Sequence, residues 1–450
     1  MVAGRRIWTA ALLIALVTAA PLRVSAQHLT IQGDRFAVDG VPRFLTFISY
    51  FDGMEALDVG ADLQFLHEKG FDGARVWPNP GLIRSNGTLD DAALARLLAI
   101  LDAARQRRMI IDVTFTAERV AGLDAVRYRD GIVETARAIA GFDNALIDIQ
   151  NERDVYGPFV RPLAAADVAA TAAAIKRADP RRIVTASNSP GLTPAQAARF
   201  TADTGLDVTA YHDDRVPNWY ERARMQSIVS ALRDNGRPAY LQEPTRFPFP
   251  STDRADYFLQ ARANAKLAGA AAWCFHTEFG FDVRTARFED RLASRPEPEW
   301  AFVNALIMRI NLKTIDGHYL VADNGGGSSV HADRQNPIDW AAFELTAIAG
   351  GPPLDRERVA LRTSDGEHYL EADNGGGGAL LAATTAAGGW ETFVVSSGTG
   401  GPIREGDTIE LQTATDPPWF VTAEEGGGGV VNVNRRFDGP WQRFTVLLVR

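Results

Sequence analysis

The residues best suited to chemistry are two glutamates, each closing an apolar run. Ala-Leu-Ile-Asp-Ile-Gln (145–150) leads into Asn151-Glu152-Arg153, and Ala-Tyr-Leu-Gln (239–242) leads into Glu243-Pro244. Short runs that are apolar throughout read as strands buried on both faces, as in a parallel sheet. Each glutamate therefore stands just past the carboxyl end of a strand. Two carboxylates converging on one hollow suit glycosidic-bond cleavage. One must be held protonated to donate to the leaving oxygen, and the other must be ionised to attack the anomeric carbon.

The elements that must bring them together alternate strand and helix from Gln27 to about Asn311. Strands are expected at Phe44–Ser49, Gly73–Trp77, Met109–Phe115, Ala145–Gln150, Ile183–Ala186, Val208–Tyr211, Ala239–Gln242 and Ala270–Phe275. Helices are expected over Asp58–Lys69, Leu89–Arg107, Val126–Ala140, Ala164–Ala178, Trp219–Asp234 and Ala255–Leu267. Eight such strands predict an α/β fold, a (β/α)8 barrel, whose reactive groups lie on the loops after the strands. Strands four and seven of such a barrel face each other, so Glu152 and Glu243 can meet although 91 residues separate them. An open doubly wound sheet is the alternative, but no Gly-rich phosphate fingerprint follows the first strand.

With Asn151-Glu152 after strand four and Glu243 after strand seven, residues 27–311 resemble the retaining glycoside hydrolases of clan A, broadly the cellulase-like family 5 type. The resemblance implies Glu152 as acid/base and Glu243 as nucleophile. It implies Arg75 beside the nucleophile, holding it ionised, and Asn151 on the sugar 2-hydroxyl. It also implies Tyr211 and His212 as partners of nucleophile and sugar, and Trp273 as the sugar platform. The chain departs from the family in reading Asn-Glu-Arg for Asn-Glu-Pro and Tyr-His-Asp-Asp for His-x-Tyr.

Other candidates carry bland readings beside functional ones. Trp77, at a mouth position, is a sugar-stacking surface or loop packing. Glu118, after strand three, reads as a solvated loop carboxylate, and Glu278, past strand eight, as a subsite residue or an exposed one. Asp213 and Asp214 read as partners for Arg215 or as cleft lining. Cys274 reads as an inert core thiol. No His, Asp or Cys stands at ligand spacing from His212, so neither metal nor cofactor is expected.

From Leu312 the texture changes. Asp323-Asn324-Gly325-Gly326-Gly327 recurs as Asp373-Asn374-Gly375-Gly376-Gly377 and, more loosely, as Glu424-Glu425-Gly426-Gly427-Gly428. Trp340, Trp390 and Trp441 each stand three residues before a Phe: Phe343, Phe393 and Phe444. Three copies of about 40–50 residues with several short strands and turns each predict a three-fold all-β domain over 312–450, a β-trefoil. The repeat resembles fascin-like β-trefoils, especially their carbohydrate-binding relatives. There a W-E-x-F step gives a ring for the sugar face and a carboxylate for its hydroxyls. Only Trp390-Glu391-Thr392-Phe393 matches, so one competent site is expected, or one strong and two weak.

Arg5 and Arg6, the apolar run Ile7–Ala20 and Val24-Ser25-Ala26 have the form of a signal peptide over 1–26. A single cysteine allows no internal disulfide, which fits a bacterial periplasm or medium. The net charge of −9 disfavours nucleic acid as a partner. The expected product is a secreted, monomeric β-glycosidase of no membrane, acting on a polysaccharide or oligosaccharide, with weak preference for β-glucan. The rival reading is a non-catalytic polysaccharide-binding protein on a relic barrel.

Overall fold

The computed structural model describes residues 27–116, 123–155, 162–214, 216–244, 254–276 and 282–449. Residues 1–26, read above as a signal peptide, and Glu118, Arg215 and Glu278 lie outside them.

Eight parallel strands form the first sheet: β1 (Leu45–Ser49), β2 (Gly73–Val76), β3 (Ile110–Thr114), β4 (Ala145–Asp148), β5 (Ile183–Thr185), β6 (Thr209–His212), β7 (Ala239–Glu243) and β8 (Ala272–Phe275). They pair in the order β5-β4-β3-β2-β1-β8-β7-β6. The remaining seam, between β5 and β6, is bridged. Asp207 N–H donates to Val184 O, the Asp207 carboxylate accepts from Val184 N–H, and Thr185 Oγ1 donates to Val208 O, each at 2.9 Å. The sheet thus curls into a (β/α)8 barrel.

Helices α1 (Val59–Glu68), α2 (Asp91–Gln106), α3 (Ala125–Ala138), α4 (Ala165–Ala178), α5 (Pro194–Thr204), α6 (Arg222–Leu232), α7 (Ala255–Ala268) and α8 (Phe288–Ala293) follow the strands in turn. Asp58, Asp90 and Asp124 cap α1, α2 and α3 by accepting backbone N–H groups of the first turn. Successive strand residues point alternately inward and outward. Ile48, Val76, Val113, Ile147, Leu241 and Phe275 join one core under the helices, while Leu45, Phe47, Ile110, Leu146 and Tyr240 fill the barrel base. The interior at Gly73 admits no side chain: a Cβ there would lie 2.4 Å from Ile110 O and 2.5 Å from the Phe47 ring.

A three-stranded antiparallel ribbon (Leu29–Gln32, Arg35–Val38, Val41–Arg43) precedes β1 and plugs the base with Phe36, which meets Tyr240 edge-on at 6.4 Å. This ribbon, α5 and α8 are absent from the sequence-based expectation. With the base closed, the open mouth is at the carboxyl ends of the strands.

Residues 308–448 form a separate antiparallel body. Six strands (Met308–Thr314, Phe343–Ala347, Glu357–Arg362, Phe393–Ser396, Thr408–Thr413, Phe444–Leu448) pair in a closed ring. Three hairpins cap it, one per repeat, and pair with one another through Ser329 with Leu381, His331 with Val430, and Ala379 with Asn432. Its first strand starts at Met308, so the boundary expected at 312 falls inside a strand. Phe343, Phe393 and Phe444 occupy equivalent places in its core. The glycine runs answer to close approach. The Cβ of an alanine at Gly376 would lie 2.2 Å from Trp419, and one at Gly326 the same distance from Asp365, each in the next repeat.

Candidate active site

Arg75 stands in the middle of the barrel, wholly buried, on the inner face of β2. Its Nη1 donates to Glu243 Oε1 at 3.2 Å and its Nη2 to Asn151 Oδ1 at 2.9 Å. Nε lies 3.4 Å from Asp112 Oδ2, and Nη2 lies 3.7 Å from Asp148 Oδ2. Burial opposes its charge, but Asp112 and Glu243 more than reverse this and hold the guanidinium firmly protonated. Three carboxylates, on β3, β4 and β7, thus share one cation.

Glu243 reaches that cation through an irregularity. Tyr240 and Gln242 face inward, so strict alternation would turn Glu243 out. The pairing of β7 with β6 slips between Leu241 and Glu243. This bulge lets two consecutive side chains face the interior, as bulges beside functional sites often do.

His212 ends β6 and lies between the glutamates. Its Nδ1 is 3.2 Å from Glu152 Oε1 and 3.4 Å from Glu243 Oε2. One ligand-type atom from each of Glu152, His212 and Glu243 falls within 4.8 Å of the others. The two glutamates therefore meet across the barrel, at a gap close to the ~5–5.5 Å of retaining glycosidases and below the ~6.5–9.5 Å of inverting ones. His276, after β8, places Nε2 3.5 Å from Glu243 Oε2, while its Nδ1 pairs with Ser49 Oγ at 2.7 Å.

Glu152 itself has φ +48°, the left-handed region, where a residue with a Cβ costs on the order of 1–2 kcal/mol. Ser187, just past β5, secures this turn. Its Oγ accepts from Glu152 N–H at 3.0 Å and its carbonyl from Arg153 N–H at 3.0 Å. The mouth beside it carries Trp77, half-buried, stacked on Phe51 at 4.5 Å with Arg75 4.8 Å from its ring centre.

Beneath the glutamates lie Asp112 and Asp148, both wholly buried. Burial, with Asp148 nearby, pushes Asp112 up to about 6 against the pull of Arg75, and burial raises Asp148 as well. Gln242 Nε2 donates to both at 3.0 Å.

The structure therefore gathers Arg75, Asn151, Glu152, His212 and Glu243, with Trp77 at the rim. Two residues expected there are elsewhere. Tyr211 precedes inward-facing His212, so it points out, is buried against the helices and donates to Leu192 O at 3.3 Å. Trp273 faces outward for the same reason. It is wholly buried, with its ring centre 5.7 Å from that of Phe302. Its neighbour Cys274 faces inward beside Ser49 Oγ, and burial pushes the thiol up to about 12. Asp213 is buried against Arg224, whose Nε donates to it at 3.2 Å, while Asp214 is exposed. The sequence reading missed Asp112, Asp148, Gln242, Ser187, Phe51 and His276. The first two had a signal: an aspartate inside an otherwise apolar run must find a partner in the interior. No metal-ligand spacing was read around His212 in the sequence, yet the fold sets two distant carboxylates, Glu152 and Glu243, beside it.

In the all-β body, Trp390 is half exposed, but Glu391 does not face solvent with it. Glu391 is 5% exposed and accepts from Thr384 Oγ1 at 3.1 Å and Gly388 N–H at 2.7 Å, so it braces its own turn. Trp340 instead borders a recess of about 690 Å³ with Arg309, Asn324, Asp339, Ser364 and Asp365.

No protein-family model and no curated protein matches the chain. Among solved structures, the β-mannanase of the blue mussel Mytilus edulis is similar at 16% identity and TM-score 0.43, over 61% of this chain and 98% of that one. An endo-1,4-β-mannanase of Eisenia fetida is similar at 15% and 0.43, over 62% and 94%. A β-mannanase of Streptomyces thermolilacinus is similar at 17% and 0.42, over 55% and 84%.

Proposed function

We propose that the protein is a secreted, retaining β-glycosidase acting on a polysaccharide or oligosaccharide, with the all-β body serving as a sugar-binding β-trefoil. The carrying observation is the approach of Glu152 and Glu243 around His212, within 4.8 Å, over a guanidinium. Glu243, ion-paired to Arg75, attacks the anomeric carbon. Glu152 protonates the leaving oxygen, and the bond from that oxygen to the anomeric carbon breaks as the Glu243 ester forms. Glu152 then takes a proton from water, whose oxygen displaces Glu243. Asn151 gives its Oδ1 to Arg75, which leaves its amide N–H groups for a sugar hydroxyl. Trp77 offers a ring at the rim. The trefoil reading is supported by six strands closed in a ring under three hairpins. Within it the sugar site is assigned to the Trp340 recess, where Trp340 offers a ring and Asn324, Asp339 and Ser364 offer polar groups.

The test is reducing-sugar release from defined β-1,3- and β-1,6-glucans, other β-glucans and β-mannans. Release by the wild type, none by Glu243→Ala, and a product that keeps its anomeric configuration are expected. Binding without release would favour the relic-barrel reading. The close approach of Glu152, His212 and Glu243 also suits a cation. Full activity after chelation would remove a metal-dependent hydrolase; loss on chelation with recovery on metal return would replace the glycosidase scheme.

A further inference from the structure

His212 touches the glutamates with one ring nitrogen and Gln242 with the other. Its Nε2 lies 3.3 Å from Gln242 Oε1. The Gln242 amide cannot be turned round. Its Nε2 is 3.0 Å from Asp112 Oδ2 and 3.0 Å from Asp148 Oδ2, and ionised carboxylates only accept. If one aspartate takes a proton, the other still needs the amide N–H, and Arg75 beside both favours that charge. With the NH2 group committed to the aspartates, the Gln242 carbonyl faces His212. Nε2 must then carry a hydrogen, and the tautomer is fixed by what the other side of the ring meets.

We propose that Gln242, anchored by Asp112 and Asp148, is a positioning residue that keeps the hydrogen of His212 on Nε2, so that Nδ1 shares the proton Glu152 passes to the leaving oxygen. The proton-delivery half rests on the glycosidase reading; the ring half does not. Among the described residues, the charged and titratable groups around His212 are Glu152 after β4, Asp148 in β4, Asp112 in β3, Arg75 in β2, Glu243 in β7 and His276 after β8. With Nδ1 bare, it accepts from protonated Glu152. When Glu152 gives that proton to the glycosidic oxygen, Glu243 has bonded to the anomeric carbon and the leaving group departs neutral. When water attacks, its proton returns to Glu152 and the Glu243 ester breaks. His212 ends the cycle as it began.

The ring is tested on the full chain labelled with 15N-histidine, the His212 signals being those absent from His212→Asn. Nε2 is expected to keep a protonated-type shift from about pH 5 to about pH 8. A bare Nε2 in the wild type would overturn the proposal, whether or not any variant folds. Gln242→Met removes both amide groups at similar length. The freed ring can then carry its hydrogen on Nδ1 and donate to Glu152, favouring the ionised form. For substrates with poor leaving groups, kcat/KM should fall about 10- to 100-fold, and its alkaline limb should move to lower pH. A dinitrophenyl glycoside, which needs no proton, should change less than about threefold. Equal losses on both substrates with an unmoved pH profile would reduce Gln242 to packing and overturn the positioning role. If the wild type cleaves neither substrate, the glycosidase reading fails, and the spectrum still decides the ring.

Discussion

Around Arg75 the interior holds more negative than positive charge, which makes that one side chain the most consequential in the barrel. Asp112, Asp148 and Glu243 all lie within 3.7 Å of it, and none is more than 3% exposed. Removing one partner of a buried ion cluster strands the others, at about 3–5 kcal/mol. Arg75→Met should therefore lower unfolding stability by about that amount in denaturant titrations at pH 7. The loss should shrink at pH 5, where the stranded carboxylates can take protons; an equal loss at both pH values would refute the charge account. Arg75→Lys should not restore turnover, because one ammonium cannot serve Asn151, Glu243 and Asp112 together. A second buried acid gives a pH signature. Burial raises Asp213 from 3.8 to about 6 despite its bonds to Arg224. The folded state therefore binds a proton that the unfolded state releases. Its contribution, on the order of 2–3 kcal/mol, is fully present below about pH 4 and lost as the pH rises through about 6. Asp213→Asn should flatten stability across that window in thermal unfolding at stepped pH.

At the scale of elements, what decides the site is which face of each strand a residue takes. The apolar runs located all eight strands in the sequence because burial on both faces keeps most of their residues apolar, with polar side chains such as Arg75, Asp112 and Asp148 as isolated exceptions. They also placed Glu152 and Glu243 at strand ends, which is why the pair was legible. Facing was harder. Tyr211 with His212, and Trp273 with Cys274, are neighbours on regular strands, so only one of each pair can face in. On β7 the same rule fails, since the slip between Leu241 and Glu243 brings Gln242 and Glu243 inward together. A bulge depends on pairing with β6, and nothing in residues 239–243 announces it. Helix α5 did carry a signal in Thr193-Pro194-Ala195-Gln196, whose Thr193 and Gln196 form a reciprocal cap. The N-terminal ribbon is short and lacks long periodicity, so its role as a plug emerges only with the barrel base. Packing at that base yields a further prediction. Gly73→Ala should destabilise by about 1–3 kcal/mol through collision with Phe47 and Ile110 O. Phe47→Leu should recover part of this in the double mutant, read as a coupling energy in a cycle; strict additivity would show that the carbonyl contact alone is at fault.

At the scale of the molecule, the two bodies are fastened along the flank of the barrel. Phe44 N–H, just before β1, donates to Ala349 O at 2.7 Å. Lys266, near the end of α7, meets Glu357 at 2.7 Å, and Arg222, at the start of α6, reaches Gly400 O at 3.4 Å. Lys266 is nearly buried there, and burial lowers it to about 8 against the pull of Glu357. The contact is thus a built interface with little linker, and Phe44 and Lys266 place much of it toward the amino ends of the strands, away from the mouth. Sugar retention and bond cleavage should then separate by mutation. Trp340→Ala removes the ring bordering the 690 Å³ recess without touching the barrel. It should weaken retention on insoluble β-glucan by about tenfold or more, as loss of a central aromatic contact does, with turnover of a soluble chromogenic glycoside unchanged. Glu391→Ala should behave differently. Its carboxylate holds Thr384 and the Gly388 N–H, so the variant should lose thermal stability in the all-β body while keeping most of its retention. Retention abolished by Glu391→Ala at unchanged melting temperature, and untouched by Trp340→Ala, would move the sugar site back to the Trp390 turn.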